Sequence, residues 1–332
     1  MWPGGAAAGR KPLAVIHRLD PRPGSVHGVF SRELAPALEI DSGDTVRLST
    51  LDCDWGLEPR TSVEGPRRRF TPRLARDAGH ALTGPIAVRG AHPGGALEVE
   101  IHRLRPGPHG FTVAGGDRGA FGINAEVGVA EMTPRLLRWA LDADAMVGTT
   151  PEGFAVPLRP FLGVMGLPPA DEGLHPTAPP RPCGGNIDCK ELMAGTSLFL
   201  PVTVPGALFS AGDGHAAQGD GELCINAIEC PMEDVELTLR FHDGMHLERP
   251  RARTPSAWLT FGFDPDLDRA VAQAVTDMLD LMVQRFALSR TEALALASVA
   301  VDVRVTQVAN GVRGAHAVLA HGAVHVPSTA AR

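Results

Sequence analysis

The sequence predicts a mainly β protein of the α+β class, a sandwich or barrel-like arrangement of short strands with a few helices near the C-terminal end. Three observations lead to this prediction. The 332 residues include 38 Gly and 29 Pro, a turn-rich composition that favours many short strands. Several segments alternate apolar and polar residues with the period of a half-buried strand. One segment, residues 266–286, instead places its apolar residues at helical spacing.

Strands are predicted first at residues 13–17, 25–30 and 45–49, after a lead formed by the first twelve residues. The third strand ends shortly before Asp52 and Asp54. Residues two apart in an extended chain share a face, so both carboxylates are candidates for one pocket. An equally good interpretation is that Asp54 caps a turn.

The next polar segment, residues 57–79, is rich in arginine and is expected to be a solvated loop, with anion binding or a subunit contact as the alternative. Two strands joined by a Pro-Gly-Gly turn follow it. The second of them alternates over residues 96–101, which places Glu98 and Glu100 on one face. His80 precedes the first strand, where its side chain would reach a site at the strand ends.

Strands are also predicted at residues 234–244, 257–263 and 301–305. The helix at 266–286 is followed by a second one at 290–298, which opens with the capping-box pattern Ser-Arg-Thr-Glu. The apolar stripes of both helices are expected to pack into the core.

We expect one compact unit in which little regular structure is present over residues 105–182, a span rich in Gly and Pro. Its predicted parts are an N-terminal β-rich half (1–155), a Pro/Gly-rich connection (156–182), a C-terminal β-rich half with the helices (183–310) and a peripheral tail (311–332).

The stretch 181–230 carries the densest set of candidate functional side chains. Among its glycines lie Asp188, Asp213, His215, Asp220, Glu222 and Glu229. Glycine-rich turns bend sharply and bring such side chains together, and a carboxylate–imidazole cluster suits either a hard-metal site or acid–base chemistry. The same residue types are typical of exposed hairpin turns, and the pattern leaves both interpretations open.

Composition excludes several classes of function. The net charge of −7 argues against nucleic-acid binding, and no apolar run is long enough to span a membrane or form a signal peptide. The five cysteines contain no Cys-x-x-Cys pair, so we expect reduced thiols in a cytoplasmic protein. The chain lacks GxGxxG, P-loop, HExxH and GxSxG motifs, which would indicate nucleotide binding, zinc-protease or serine-hydrolase chemistry.

Several ordered blocks resemble the acetamidase/formamidase family of amide hydrolases. They are GDTVRLSTLD (43–52), HALTGPIAVRGAHPGGALEVEI (80–101), CGGNIDCKEL (183–192), LPVTVPGALFSAGDGHAAQGDGE (200–222) and the closing helical region. The resemblance covers roughly residues 37–310 and implies a β-rich, usually homo-oligomeric hydrolase of short linear amides, with a bound divalent metal. Ala81 departs from the family's usual proline in the motif HPLTGP, which affects only local turn rigidity.

The resemblance also suggests which residues act on a small amide substrate through metal-activated water. The candidate ligands of a divalent metal, zinc or alternatively calcium, are Asp52, His80, Asp213 and His215, and Asp54 is an additional candidate. Glu222 or Asp188 would be the general base and the proton shuttle to nitrogen. Asn186 would donate to the carbonyl oxygen, and Glu100 would orient a histidine.

Other interpretations remain open at this point. Cys189, next to Asp188, is a candidate nucleophile in a metal-independent amidase, as is Lys190. Family members that act on cyclic amides make a γ-lactamase a further alternative. A non-catalytic β scaffold that binds a small amide is the alternative from outside the enzymes.

Overall fold

A computed structural model describes residues 15–71, 73–117 and 121–325. It confirms the predicted fold class, with two large β-sheets and two helices near the C-terminal end. The predicted lead, residues 1–12, and the start of the strand predicted at 13–17 lie outside the described residues. No helix in the described part of the chain is both long and apolar enough to cross a membrane.

The described strands and helices are numbered in chain order. In the first half they are β1 (Ile16–Leu19), β2 (Val26–His27), β3 (Val29–Phe30), β4 (Leu38–Ile40), β5 (Thr45–Leu48), β6 (Leu82–Val88), β7 (Ala96–Pro106), β8 (His109–Ala114), β9 (Arg135–Asp142), β10 (Val147–Thr149), β11 (Ala155–Pro157), β12 (Phe161–Gly166) and β13 (His175–Pro176). In the second half they are β14 (Gly184–Asn186), β15 (Ser197–Pro201), β16 (Phe209–His215), β17 (Glu229–Cys230), β18 (Met232–His242), β19 (Arg251–Arg253), β20 (Ala257–Asp264), α1 (Leu267–Phe286), α2 (Arg290–Ala300), β21 (Val301–Gln307) and β22 (Arg313–Ala320).

The two large sheets each combine strands from distant parts of the sequence. The nine-stranded sheet has the order β1-β5-β18-β7-β15-β19-β20-β22-β21. The eleven-stranded sheet follows the path β11-β10-β9-β8-β17-β16-β12-β14, and β6 joins it beside β16 together with β2 and β4. Side chains of both sheets, including Val99, Leu237, Ile86 and Leu162, belong to one buried cluster, so the sheets share a core. Such burial of apolar surface is the main force that stabilises the fold.

The two predicted helices are confirmed, and so is the capping box predicted at the start of the second. The Asp266 side chain accepts hydrogen bonds from the first backbone N–H groups of α1, and Ser289 and Glu292 form both bonds of a capping box at α2. Helix α1 packs on β20, where Gly262 leaves no room for a Cβ beneath the carbonyl of Ala270. This close approach fixes the helix against the sheet.

Two expectations about regular structure are wrong. Residues 105–182 contain six complete strands and the end of β7, and β12 within this span is wholly buried between β14 and β16. The expected peripheral tail contains β22, a buried strand between β20 and β21. Strands that are buried on both faces carry continuous apolar runs instead of an alternating pattern, so periodicity does not reveal them.

Candidate active site

Four neighbouring strands of the eleven-stranded sheet position the candidate site, namely β17, β16, β12 and β14. In the register of the sheet, Phe161 of β12 lies opposite His215 of β16, and His215 lies opposite Glu229 of β17. On the other side of β12, the backbone N–H of Asp188 donates to the carbonyl of Gly163 at 3.2 Å. Asp188, His215 and Glu229 are far apart in sequence, and the sheet brings them together.

His215 is the centre of this cluster and is 1 % exposed. Its Nε2 lies 3.3 Å from Glu229 Oε2 and 3.5 Å from Asp213 Oδ2, while Nδ1 lies 3.1 Å from Gln218 Oε1 and 3.9 Å from Asp188 Oδ1. Burial alone lowers the pKa of His215, but the carboxylates of Glu229 and Asp213 outweigh burial and hold it well above the ordinary value. The surrounding acids, and not burial, therefore determine the direction of the pKa shift at His215.

The surrounding carboxylates have different proton affinities. Burial raises the pKa of Asp188 to about 7, against the attraction of His215. Burial, together with the charge of Asp188, raises the pKa of Glu222 well above the ordinary value. Burial also acts to raise the pKa of Asp213, but His215 and His80 hold it below the ordinary value. The cluster thus combines one carboxyl group whose pKa is lowered with two whose pKa values are raised.

Several buried polar atoms of the cluster have no hydrogen-bond partner among the described residues. They are Asp188 Oδ1, His215 Nε2, Glu222 Oε2 and Glu229 Oε2. Buried polar atoms are almost always paired, because an unmade hydrogen bond costs about 1–3 kcal/mol. Asp188 is otherwise held firmly, since Asn310 Nδ2 donates to its Oδ2 at 2.6 Å. The orphaned atoms therefore mark a place built to receive a ligand.

Three residues of the cluster also have a strained backbone. Asp188, Asp213 and Glu222 have φ angles of 51°, 57° and 45°, in the left-handed region that non-glycine residues rarely adopt. Each such residue costs about 1–3 kcal/mol, which the surrounding fold must offset. Strain of this kind is typical of functional sites, because it aims side chains in directions that relaxed backbone does not provide.

Gly163 supplies the space in which the cluster converges. A Cβ at this position would lie 2.5 Å from Asp188 Oδ1, 2.6 Å from Asp213 Oδ2 and 2.8 Å from His215 Cε1. Contacts below 3.0 Å are essentially never seen for real Cβ atoms. Two carboxylates and the imidazole therefore occupy positions that any other residue at 163 would block.

A cavity of about 310 Å³ opens onto the cluster. Its polar lining consists of His80, Asn186, Asp213, Glu222, Glu229 and Asn310. Phe121, Ala178 and Ile225 line the apolar part. The volume lies at the small end of the range for small-molecule sites, and the mixture of apolar wall and convergent polar groups is typical of such sites.

The donor set also fits a divalent cation. Potential ligand atoms lie within 4.8 Å of one another in two groups, the buried Asp188–His215–Glu222 and the group of half-buried Cys53 with buried Asp213 and Glu229. The acids outnumber the single buried imidazole, and this excess of buried negative charge requires protons or a cation for balance. Imidazole nitrogen and carboxylate oxygen are ligands that zinc and similar ions accept. The Gln218 contact at Nδ1 leaves Nε2 of His215 as the ligand atom.

Six of the eight predicted site residues lie at this cavity or in the cluster behind it: His80, Asn186, Asp188, Asp213, His215 and Glu222. His80 is half-buried, and its Nδ1 lies 2.8 Å from Thr177 Oγ1. The Asn186 amide nitrogen donates to the carbonyl of Ala178, so its free atom is Oδ1, an acceptor instead of the donor expected from the sequence.

The structure does not bring Asp52 and Glu100 to the cluster. Asp52 is buried in an ion pair with Arg67 and accepts hydrogen bonds from two backbone N–H groups of its own turn. Arg67 is therefore not part of a solvated loop, contrary to expectation, since its side chain is 5 % exposed. Glu100 lies on β7 in the other sheet, 41 % exposed and 3.8 Å from Arg240. Asp54 pairs with Arg69 at 2.8 Å.

The thiols and Lys190 are poorly placed for nucleophilic catalysis. Cys189 is 1 % exposed and does not line the cavity, and burial raises its pKa well above the ordinary value. Cys53 does line the cavity, but burial and the charge of Glu229 raise its pKa as well. Lys190 pairs with Asp220 at 3.0 Å. A nucleophilic thiol must be ionised, and neither environment favours the thiolate.

Sequence reasoning assigned no role to Glu229, Asn310, Gln218 or Gly163. Glu229 stood in the acid-rich stretch, but its pairing opposite His215 depends on sheet register. Asn310 follows the predicted strand at 301–305 without any motif of its own. Gly163 lies in the span that was expected to lack regular structure, and nothing in its local sequence marks it.

Comparison with known proteins supports one family. The sequence profile of the Acetamidase/Formamidase family matches residues 17–175 and 170–319. A putative formamidase from Schizosaccharomyces pombe is 29% identical over 309 residues, covering 73% of each chain. The crystal structure of an acetamidase from Bacillus halodurans is similar with a TM-score of 0.79 and 31% identity, covering 91% of this chain and 97% of that one. A predicted acetamidase/formamidase from Thermoanaerobacter tengcongensis has a TM-score of 0.80 and 27% identity, covering 93% and 97%.

Proposed function

The chain belongs to the acetamidase/formamidase family of amide hydrolases, and on this premise we propose that it cleaves the C–N bond of a small linear amide, releasing a carboxylate and ammonia, at the cluster around His215. One observation carries the proposal. Asp188, Asp213 and His215 converge on the space that Gly163 leaves open, beside a cavity of about 310 Å³.

The cavity suits a short acyl group. Its apolar wall, formed by Phe121, Ala178 and Ile225, can contact an alkyl chain of a few carbons, while the polar wall faces the amide. Burial of a methyl or methylene group there contributes about 0.8 kcal/mol, so each added carbon that fits strengthens binding modestly. The similar proteins described as formamidase and acetamidase act on substrates of this size.

Amide hydrolysis requires an activated water, stabilisation of the negative carbonyl oxygen and a proton for the departing nitrogen. The residues that would hold a divalent cation are His215, through Nε2, with Asp213 and Glu229. Bound there, the cation would acidify water and polarise the carbonyl group. Zinc is the ion that we propose, because it accepts both imidazole and carboxylate ligands.

Asp188 and Glu222 handle the protons in this proposal. Each keeps one buried oxygen without a partner, and Asn310 fixes the other oxygen of Asp188. Asp188 takes the proton from the attacking water, and one of these two carboxyl groups gives a proton to the leaving nitrogen. His80 lies in the cavity wall with Nδ1 bound to Thr177, which leaves Nε2 for the substrate.

Ammonia release from a series of amides tests this function. Formamide, acetamide, propionamide and butyramide are compared at equal concentration by their release of ammonia. The γ-lactam 2-pyrrolidinone, whose hydrolysis opens the ring without freeing ammonia, is followed by the formation of 4-aminobutyrate. We expect the largest kcat/KM among the short linear amides and a decline once the acyl group exceeds the cavity. Absence of ammonia from every linear amide would overturn the proposal, and hydrolysis of the lactam alone would replace it with γ-lactamase activity.

A further inference from the structure

A second group of potential ligands lies outside the active-site cavity. It comprises Cys189 and Glu191, in the turn after β14, and His316 on β22. Cys189 Sγ lies 3.2 Å from Glu191 Oε2, and Glu191 Oε2 lies 3.7 Å from His316 Nε2. All three ligand atoms lie within 4.8 Å of one another, and none of these residues lines the active-site cavity.

The imidazole of His316 carries the main evidence for a ligand. The side chain is 0 % exposed, and its Nδ1 lies 2.8 Å from Thr306 Oγ1. Nε2 has no hydrogen-bond partner among the described residues and is directed towards Glu191. A fully buried ring nitrogen without a partner is expensive, and its presence calls for an explanation.

The neighbours of the group have the arrangement found around metal ligands. Metal-binding histidines usually engage their second ring nitrogen in a hydrogen bond, as His316 does here through the contact of its Nδ1 with Thr306. Arg304 Nη1 binds Glu191 Oε1 at 3.1 Å, which leaves Oε2 for the ion. Tetrahedral zinc, with bonds of about 2.0–2.3 Å, places its ligand atoms about 3.3–3.6 Å apart. The two distances at Glu191 Oε2 lie close to this range.

We propose that Cys189, Glu191 and His316 form a second metal site, which takes a divalent transition-metal ion of the zinc type. A thiolate and an imidazole exclude Mg²⁺ and Ca²⁺, which prefer oxygen ligands. On binding, the proton of the Cys189 thiol, which now points to Glu191 Oε2, leaves to solvent and the metal takes its place.

Such an ion would act as a structural staple beside the active site. Cys189 is adjacent to Asp188, and His316 lies on the hairpin of β21 and β22, whose turn carries Asn310. The ion would tie the turn to the hairpin and thereby hold the hydrogen bond between Asn310 and Asp188.

Cobalt substitution tests the site on the full chain. Co²⁺ bound to a thiolate gives a charge-transfer absorption in the near ultraviolet, which oxygen and nitrogen ligands do not produce. We expect the band in the wild-type protein and its loss in Cys189→Val. The matched control is Cys53→Ser, which removes the thiol near Asp213 and Glu229 in the active-site cavity and should retain the band.

The outcomes separate the possibilities. The proposal is overturned if the wild-type protein lacks the Co²⁺–thiolate band, or if a folded Cys189→Val protein keeps it. It is also overturned if only Cys53→Ser loses the band, because the thiolate ligand would then belong to the active-site cavity. If Cys189→Val does not fold, His316→Gln provides the test. We expect its apparent Co²⁺ affinity to fall at least about tenfold, and an unchanged affinity overturns the proposal.

Discussion

Gly163→Ala adds a single methyl group at the centre of the proposed site. Gly163 lies in the buried strand β12, and its φ is outside the left-handed region, so the backbone accepts alanine. The new Cβ would lie 2.5 Å from Asp188 Oδ1, 2.6 Å from Asp213 Oδ2 and 2.8 Å from His215 Cε1. The substitution therefore acts on three candidate catalytic or ligand groups together and removes none of them.

The expected magnitude follows from these distances. Ordinary contact with a Cβ begins near 3.4 Å, so the two carboxylate oxygens must move by roughly 0.8–0.9 Å. Displacements of about 1 Å in an active site cost about 10²-fold in rate. Overpacking a buried position destabilises a fold by about 1–3 kcal/mol. We expect kcat/KM to fall by about 10²-fold while the protein remains folded.

Ammonia release from acetamide measures the activity, and thermal unfolding measures the stability. The matched control is Gly219→Ala, because Gly219 is exposed and a Cβ there would meet no atom within 4 Å. The control should retain wild-type activity. A folded Gly163→Ala enzyme with activity close to wild type would refute the convergence of the three groups on this space.

Three further predictions concern the cation, the support of Asp188 and the pH dependence of stability. Chelation should abolish ammonia release and added Zn²⁺ should restore it; full activity in protein shown by elemental analysis to be metal-free contradicts the cation assignment. Asn310→Ala removes the 2.6 Å hydrogen bond to Asp188, and a hydrogen bond to a charged group contributes about 1.5–3 kcal/mol. We therefore expect kcat to fall about tenfold or more with little change in KM. A change in KM alone would contradict the role of Asn310 in positioning Asp188. Burial lowers the pKa of His27 to about 4. As the pH falls below about 6.5, the unfolded chain therefore binds a proton at this histidine before the folded protein does. The neutral, buried His27 thus contributes about 3 kcal/mol of stability above pH 6.5, and this contribution is lost on acidification towards pH 4. His27→Gln should flatten the dependence of the free energy of unfolding on pH between about pH 4 and 6.5. An unchanged slope would show that His27 is not the source of this dependence.

The sequence was sufficient to predict the features that depend on local pattern. The capping box at Ser289 and the apolar stripe of α1 determine helices whichever fold surrounds them. Asp213 and His215 were singled out because they lie in a glycine-rich block that resembles a known family, and the structure places both on β16. Local chemistry and resemblance identified these residues without tertiary information.

The remaining features depend on contacts between distant segments. Asp52 looked free to reach a pocket, but Arg67, fifteen residues later, neutralises it. Glu229 joins His215 only through sheet register, and Asn310 reaches Asp188 across 122 residues. Pairing and register of this kind are not encoded in any local pattern.

Gly163 illustrates a second limit. Its function is the absence of a side chain, which becomes meaningful only once the positions of Asp188, Asp213 and His215 are known. The strand around it is buried on both faces, so it shows no alternation. A glycine in an apolar run is compatible with a turn, a bulge or a close approach, and the sequence does not distinguish among them.

The most direct test of the central claim is ammonia release from acetamide by Asp188→Asn, measured beside Glu100→Gln. Both substitutions replace a carboxylate with an amide of the same shape, one in the cluster and one on a half-exposed face of the other sheet. We predict that Asp188→Asn loses about 10²–10⁴-fold in kcat, as expected for a lost general base, and that Glu100→Gln keeps wild-type activity. Wild-type activity in a folded Asp188→Asn protein would contradict the claim that amides are hydrolysed at this cluster.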